Sequence, residues 1–171
     1  MKKVISLALV LCMVFMFAAC GGEKAPEANT GVNANASTEP AHSFTVNGTK
    51  IEVGADATDI LAAMGEPKTR TEEASCAFEG KDVTYYYGNF YLTTYPNGDK
   101  ENVFSAWFVD DSLTTEEGIY IGASKAEVEN AYGADTFNGT NAYVITKGQS
   151  KLTVILKDDV VSQITYDLIV D

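Results

Sequence analysis

The stretch GADATDILAAMGEP, residues 54–67, has a partner further along the chain in GASKAEVENAYGAD, residues 122–135. Moving from Gly54 to Gly122 superimposes Ala55 on Ala123, Ala63 on Ala131 and Gly65 on Gly133. The chemistry agrees where the letters differ. Asp56 and Ser124 are both residues that cap helix N-termini, and Asp59 and Glu127 put a carboxylate in the first turn, where the helix dipole favours it. Ser124 with Glu127 fits a capping box. Ile60, Ala63 and Met64 match Val128, Ala131 and Tyr132 at i, i+3, i+4, a narrow apolar stripe. Gly65 and Gly133 suit the left-handed residue that ends a helix. Each copy predicts a helix of about eight residues, too short to persist unless it packs on something.

The segments after the two helices also correspond. After the first, 83–87, 90–95 and 103–109 read as strands, with turns at Gly88-Asn89 and Pro96-Asn97-Gly98. The second helix leads into a similar meander, with turns near Lys147-Gly148 and Asp158-Asp159. The first copy carries about eight extra residues between helix and meander, and Ser75 to Phe78 is expected to add a strand there. Ahead of both, SFTVNGTKIEV reads as a hairpin with an Asn-Gly turn, a strong short-range signal. The expected fold is α+β: a β-hairpin, then two helix-plus-antiparallel-meander repeats (about 54–110 and 119–171) forming one sheet with short helices on one face.

The N-terminus indicates where such a domain would be placed. Lys2 and Lys3 precede fourteen uncharged residues, Val4 to Phe17. This is the pattern of a secretory signal peptide, and it is short for a membrane span. Phe17-Ala18-Ala19-Cys20 resembles the lipobox of bacterial lipoproteins, with Phe17 where that family usually has Leu. The resemblance implies cleavage after residue 19 and a diacylglyceryl group on Cys20. Two acyl chains hold a protein stably where one does not, so the membrane partner is reached through Cys20, on the extracytoplasmic face. Residues 21–41 are Gly, Ala, Pro, Glu, Asn, Ser and Thr, with Lys24 the one basic residue and Val32 the one branched aliphatic. That composition reads as a disordered spacer after the lipidated cysteine, reaching roughly 25 Å as a flexible coil. The domain proper is expected over 42–171.

The body resembles the β-lactamase-inhibitor-protein fold and the related small domain of outer-membrane assembly lipoproteins, whose helix motif likewise runs from Gly-x-Ser to Leu-Gly-x-Pro. The segments that carry this likeness are 54–67 and 122–133. SCAFEG, TTYPNGD, DDSLTTEEGIYIG and AYG resemble lipoproteins of clostridia-like bacteria with no assigned activity. These resemblances imply fold and location. The inhibitor's cystine bridges have no counterpart here, so inhibition is not implied.

Composition narrows the functional classes. The formal net charge is −12, and removal of the signal peptide takes away Lys2 and Lys3 but none of the 24 acidic residues, giving −14. Such a surface argues against nucleic acid as a partner and against electrostatic docking on anionic lipid. Of three cysteines, only Cys76 falls in the domain, so no internal disulfide is expected, and Cys76 reads as a small buried apolar residue. A single histidine, His42, excludes a multi-histidine metal site. No phosphate loop or nucleophile elbow occurs. Asp110, Asp111, Glu116 and Glu117 flank one loop; a weak calcium site there weighs less than a solvated acidic loop, because the spacing is not that of an EF-hand. No catalytic residue, metal site or cofactor is assigned.

The aromatic residues say more. With Gly88-Asn89 as a two-residue turn, Val83, Tyr85, Tyr87, Phe90 and Leu92 share one face and Thr84, Tyr86, Tyr91, Thr93 and Tyr95 the other. Phe104, Ala106 and Phe108 are expected to join the first set beneath the helices. Trp107 then lies beside Tyr86, Tyr91 and Tyr95, a candidate binding face of the amphipathic kind enriched at recognition surfaces. The competing reading is a Tyr-rich sheet held by cross-strand pairs. The leading functional expectation is a non-enzymatic binding or scaffolding module for a protein or wall polymer. The alternative is an envelope enzyme or protein inhibitor using an acidic/tyrosine site. A solute carrier is disfavoured by the one-domain size.

Overall fold

A computed structural model describes residues 39–170. The signal-peptide run, Cys20 and the spacer up to residue 38 lie outside the described residues. In chain order the elements are β1 (Ser43–Val46), β2 (Thr49–Glu52), α1 (Thr58–Met64), β3 (Thr69–Ala74), β4 (Lys81–Tyr86), β5 (Phe90–Asn97), β6 (Lys100–Phe108), α2 (Lys125–Tyr132), a 3-10 turn (Ala134–Thr136), β7 (Ala142–Lys147), β8 (Ser150–Lys157) and β9 (Val160–Leu168). β1 and β2 form a hairpin, and the other strands form one seven-stranded antiparallel sheet in the order β3-β4-β5-β6-β9-β8-β7. The α+β class holds, with far more strand than helix.

The local signals explain most of these elements. Asn47 and Gly48 turn the first hairpin, both at positive φ (49° and 84°), as a two-residue turn matched to strand twist requires. The Gly88-Asn89 turn also forms, setting Tyr86 opposite Tyr91 and Tyr85 opposite Leu92. At the next turn the sequence pattern predicts a long loop up to residue 102. Instead β5 and β6 run on until Asn97 faces Lys100, with Gly98 at φ 64°.

The ladder absorbs one residue elsewhere. Thr93 faces Ser105 but Thr94 faces Val103, so Phe104 is the extra residue of a β-bulge. A bulge leaves one strand with a residue that has no counterpart. Val103 is therefore fully buried, while Phe104 stacks edge-on to Tyr95 and Phe78. That corrects the expectation that Phe104 joins the core. Ala106 and Phe108 are buried as expected.

Residues Ser75 to Phe78 form no strand. The added strand is β3, just before them, and its six residues are all exposed, so no apolar alternation announces it. Cys76 lies in the β3–β4 connection and is exposed and free, not buried. The Ser75 hydroxyl there accepts from the Phe78 N–H at 3.1 Å, a local turn that directs the chain away from the core.

One hydrophobic cluster joins the hairpin, both helices and the inner face of the sheet. Phe44, Val46, Ile51 and Val53 meet Val83, Tyr85, Phe90, Leu92, Val103, Ala106 and Phe108 from one half of the sheet. Leu152, Val154, Ile164 and Tyr166 come from the other, with Ile60 and Val128 from the helices. On α1 the packed residues are Ile60, Leu61 and Met64; Ala63 is exposed, so that helix sits rotated from the expected stripe.

The backbone bonds around the two helices match. Gly54 N–H donates to Val103 O and Val103 N–H to Ala55 O; Gly122 N–H donates to Val161 O and Val161 N–H to Ala123 O, all at 2.8 Å. Ala57 N–H reaches Glu101 O as Lys125 N–H reaches Asp159 O.

The caps differ. Ser124 caps α2 with a complete capping box, Glu127 Oε2 accepting the Ser124 N–H at 2.7 Å. Asp56 is one residue too early to be the N-cap of α1, which is Ala57. Its Oδ1 instead accepts the Thr58 N–H at 2.9 Å, and Lys100 pairs with its other oxygen. Both Gly65 (φ 70°) and Gly133 (φ 87°) end their helices in the region glycine favours. Alanine should cost about 1 kcal/mol at Gly65, where the space is open. At Gly133 the cost should be similar, because the one atom within 3 Å of an added Cβ, Asp135 Oδ1, is the end of an exposed side chain that can turn away. Ser124→Ala should lose about 0.5–2 kcal/mol. Urea midpoints of the three variants check all three values, and a negligible penalty at either glycine would contradict the positive-φ helix end.

Candidate functional site

The sheet face turned away from the helices is built in rows, because antiparallel register sets same-face residues of successive strands side by side. One row runs Thr69, Tyr86, Tyr91, Trp107, Thr165, Thr153, Val144 across all seven strands. The neighbouring row runs Thr71, Thr84, Thr93, Ser105, Asp167, Lys151, Thr146. In the second row Thr84 and Thr93 hydroxyls are 3.0 Å apart, and Lys151 pairs with Asp167 at 3.7 Å. Burial raises the Asp167 carboxyl pKa, and Lys151 pulls the other way.

In the first row the aromatic rings stand side by side. Tyr86 stacks on Tyr91 with centroids 4.4 Å apart and planes 22° apart, and Tyr91 on Trp107 at 4.4 Å and 26°. That separation is close to the spacing between strands, so each ring leans on the one beside it. Tyr91 has a ring on each side. The far side of Tyr86 carries the Lys68 ammonium, 5.8 Å from the ring centroid, and the Tyr86 hydroxyl donates to Gly88 O at 2.8 Å. Trp107 ends the stack: its neighbour on β9 is Thr165, a much shorter side chain, and the indole is 38% exposed.

Of the four residues expected to form the face, the structure brings together Tyr86, Tyr91 and Trp107. Tyr95 lies in a separate group, stacked on Phe78 at 4.1 Å with Phe104 edge-on at 6.1 Å. The cause is the Phe104 bulge, which supplies Tyr95 with a neighbour of its own. Sequence reasoning misses Phe78 and Phe104 on this face; the AFEG turn is the one sequence cue for the first, and nothing local marks the second. The polar row is visible in principle as alternate Thr and Ser residues on four predicted strands.

The acidic loop is tied into the domain. Glu116 accepts from the Ser43 hydroxyl and pairs with Lys147 at 3.7 Å. Glu117 accepts from the Tyr132 hydroxyl at 2.8 Å, and Asp110 accepts from the Ser112 N–H at 3.0 Å. These carboxylates turn to different partners, and among the described residues no group of three or more His, Cys, Asp or Glu side chains is arranged to hold a metal ion. His42 is buried, its N–H donating to Ser150 Oγ at 2.7 Å and its Nε2 lying 3.0 Å from Ile145 O. Burial lowers its pKa below the ordinary value.

Among the described residues tyrosine–glutamate pairs occur three times: Tyr85 on Glu101, Tyr132 on Glu117 and Tyr143 on Glu129, each at 2.8 Å. They lie on different element pairs. Burial pushes the Tyr143 phenol up to about 12 and Tyr132 higher still. Such phenols stay protonated and serve as hydrogen-bond donors, the opposite of what a tyrosine base or nucleophile needs.

Comparison with protein-family models, curated proteins and solved structures finds no match to this chain.

Proposed function

We propose that the protein is a membrane-tethered extracellular lipoprotein, anchored by a diacylglyceryl group on Cys20, that acts as a non-enzymatic binding or scaffolding module for a protein or cell-wall ligand. The observation that carries this reading is Trp107: a half-covered indole ending a three-ring stack on the sheet face that bears no helix. Amphipathic aromatics with one side open are typical anchor residues of recognition surfaces. Tyr86 and Tyr91 would brace the indole, and Tyr95 with Phe78 and Phe104 would offer a second apolar group on the same face. The phenols of the three tyrosine–glutamate pairs are pushed up by burial and lie on different elements, which favours this reading over the enzyme or inhibitor alternative.

The domain itself is proposed to be two copies of one unit, a Gly-capped helix leading into a meander. The matched bonds of Gly54, Ala55 and Ala57 with those of Gly122, Ala123 and Lys125 support it. β6 and β9 would be the equivalent strands, meeting at the centre.

Copurification from crosslinked cells tests the function. The parent should retain a protein or wall fragment that Trp107→Ala loses, while the thermal midpoint of the variant stays within a few degrees, since an exposed stacked aromatic contributes about 0.5–1.5 kcal/mol. In the parent, acrylamide should quench the indole strongly. Undiminished capture by Trp107→Ala would remove this face from consideration. Turnover of a wall fragment by the purified protein would replace binding with catalysis.

A further inference from the structure

The two edges of the seven-stranded sheet are finished differently. Along β7 the edge is covered: Phe137 bridges to Tyr143, Asn138 N–H donates to Ala142 O at 2.8 Å, and the His42 ring lies against Ile145 O. Along β3 all six residues are exposed, and among the described residues no strand lies beyond it.

The ladder fixes the direction of the β3 backbone groups. Ser75 N–H donates to Gly80 O at 3.0 Å, and the register runs without a shift from Ala74 opposite Lys81 to Thr69 opposite Tyr86. In an antiparallel pair alternate residues exchange bonds. Thr69, Thr71 and Glu73 therefore bond to β4, and Arg70, Glu72 and Ala74 turn their N–H and C=O groups outward. The other side of β4 agrees, because Tyr87 N–H donates to Phe90 O and so assigns the odd-numbered β4 residues to β5.

We propose that β3 pairs with β3 of a second copy of this chain, antiparallel about a two-fold axis through Thr71, with Arg70 of each copy opposite Glu72 of the other. The charges select this register. Outward-facing residues must oppose outward-facing residues for ladder bonds to form. Moving the axis by one residue in either direction sets Arg70 against Arg70 or Glu72 against Glu72, and like charges directly opposite each other are destabilising. The side chains are already poised at the edge. Arg70 Nη1 donates to Glu72 Oε1 at 2.5 Å and Lys81 Nζ to Glu72 Oε2 at 2.9 Å, while the guanidinium lies 5.7 Å over the Tyr85 ring. A guanidinium has five N–H donors, enough for its own Glu72 and a second one. The two-fold makes the contact closed and self-complementary. It satisfies an edge that otherwise presents unpaired backbone groups, and it joins two sheets into one continuous surface. The acidic net charge and the short strand make this a weak dimer in free solution, strengthened when copies are confined to one membrane, where effective concentration rises. The inference does not depend on the Trp107 face, which lies on the plane of the sheet and not at its edge.

Cysteine crosslinking decides it. In a Cys76→Ser background, the full chain in detergent carries Thr71→Cys, Glu72→Cys or, as a distant control, Ser162→Cys, and is mildly oxidised. Thr71 would face its own copy as a non-hydrogen-bonded pair, about 4.5 Å between Cα atoms, within the reach of a disulfide. Thr71→Cys should crosslink at least tenfold faster than either of the others. Adding Arg70→Glu should remove that advantage, and adding Arg70→Glu with Glu72→Arg should restore it. All these positions are charged or polar and exposed, so thermal midpoints matching the parent verify folding. Equal rates at Thr71 and Ser162, fastest crosslinking at Glu72, or indifference to Arg70→Glu would each overturn the proposal.

Discussion

Phe44→Ala is expected to destabilise the domain by about 3–5 kcal/mol, the cost of removing a fully buried phenylalanine and leaving a cavity. Phe44 lies on β1, outside the large sheet, yet its ring touches both halves of it. It packs edge-on against Phe90 and Phe108 at 5.7 and 5.0 Å and stacks on Tyr166 at 5.1 Å. Phe90 and Phe108 belong to β5 and β6, Tyr166 to β9. Truncation therefore loosens the hairpin, the first meander and the second together. Against a typical total of about 5–15 kcal/mol, such a loss removes roughly a fifth or more of the stability. Urea unfolding should move to a much lower midpoint while staying a single transition. Two separated transitions would mean that the halves fold independently and that Phe44 is not their common contact.

Cys20→Ser should have the second large effect, and it concerns location. Each buried methylene of an acyl chain contributes about 0.8 kcal/mol, and even a single myristoyl chain binds membranes with only about 10⁴ M⁻¹. With neither chain, an acidic protein has no electrostatic attraction to anionic lipid to fall back on. The variant should appear in the soluble extracellular fraction, or accumulate unprocessed. Fractionation after metabolic labelling with a fatty acid reads both outcomes. A processed variant that stays on the membrane would sink the proposed anchor.

The sequence was legible where a residue's role is fixed by its immediate neighbours. Asn47-Gly48 sets a turn by its own φ angles, and Gly88-Asn89 sets the register that brings Tyr86 beside Tyr91. Ser124 and Glu127 cap α2 across three residues, and Gly65 and Gly133 end helices because few other residues tolerate that backbone. The misreadings have non-local causes. β3 lies at an edge with both of its faces exposed, so Thr69–Ala74 carries no alternation. The Phe104 bulge arises because the β5–β6 turn is tight and one strand holds one residue too many. Local pattern could not say which residue would be expelled, and Tyr95 joins a separate ring group on the expected face for the same reason. Asp56 stands one position before the N-cap of α1, where its carboxylate accepts from the Thr58 N–H and pairs with Lys100. Cys76 looked buried only by residue type.

The position of β9 has a consequence for how the chain is made. β9 is the last of the described strands in chain order, and it occupies the middle of the sheet between β6 and β8. Ser105 must wait for Asp167, its partner across the centre, for about 3–12 s at ordinary rates of synthesis. Until then β6 ends a half-sheet, and Phe44 has no Tyr166 to stack on. Completion of the sheet is therefore set by the arrival of β9 between β6 and β8. A truncation just before Val160 would leave two unjoined fragments of sheet and a bare central edge prone to pairing with any other strand nearby.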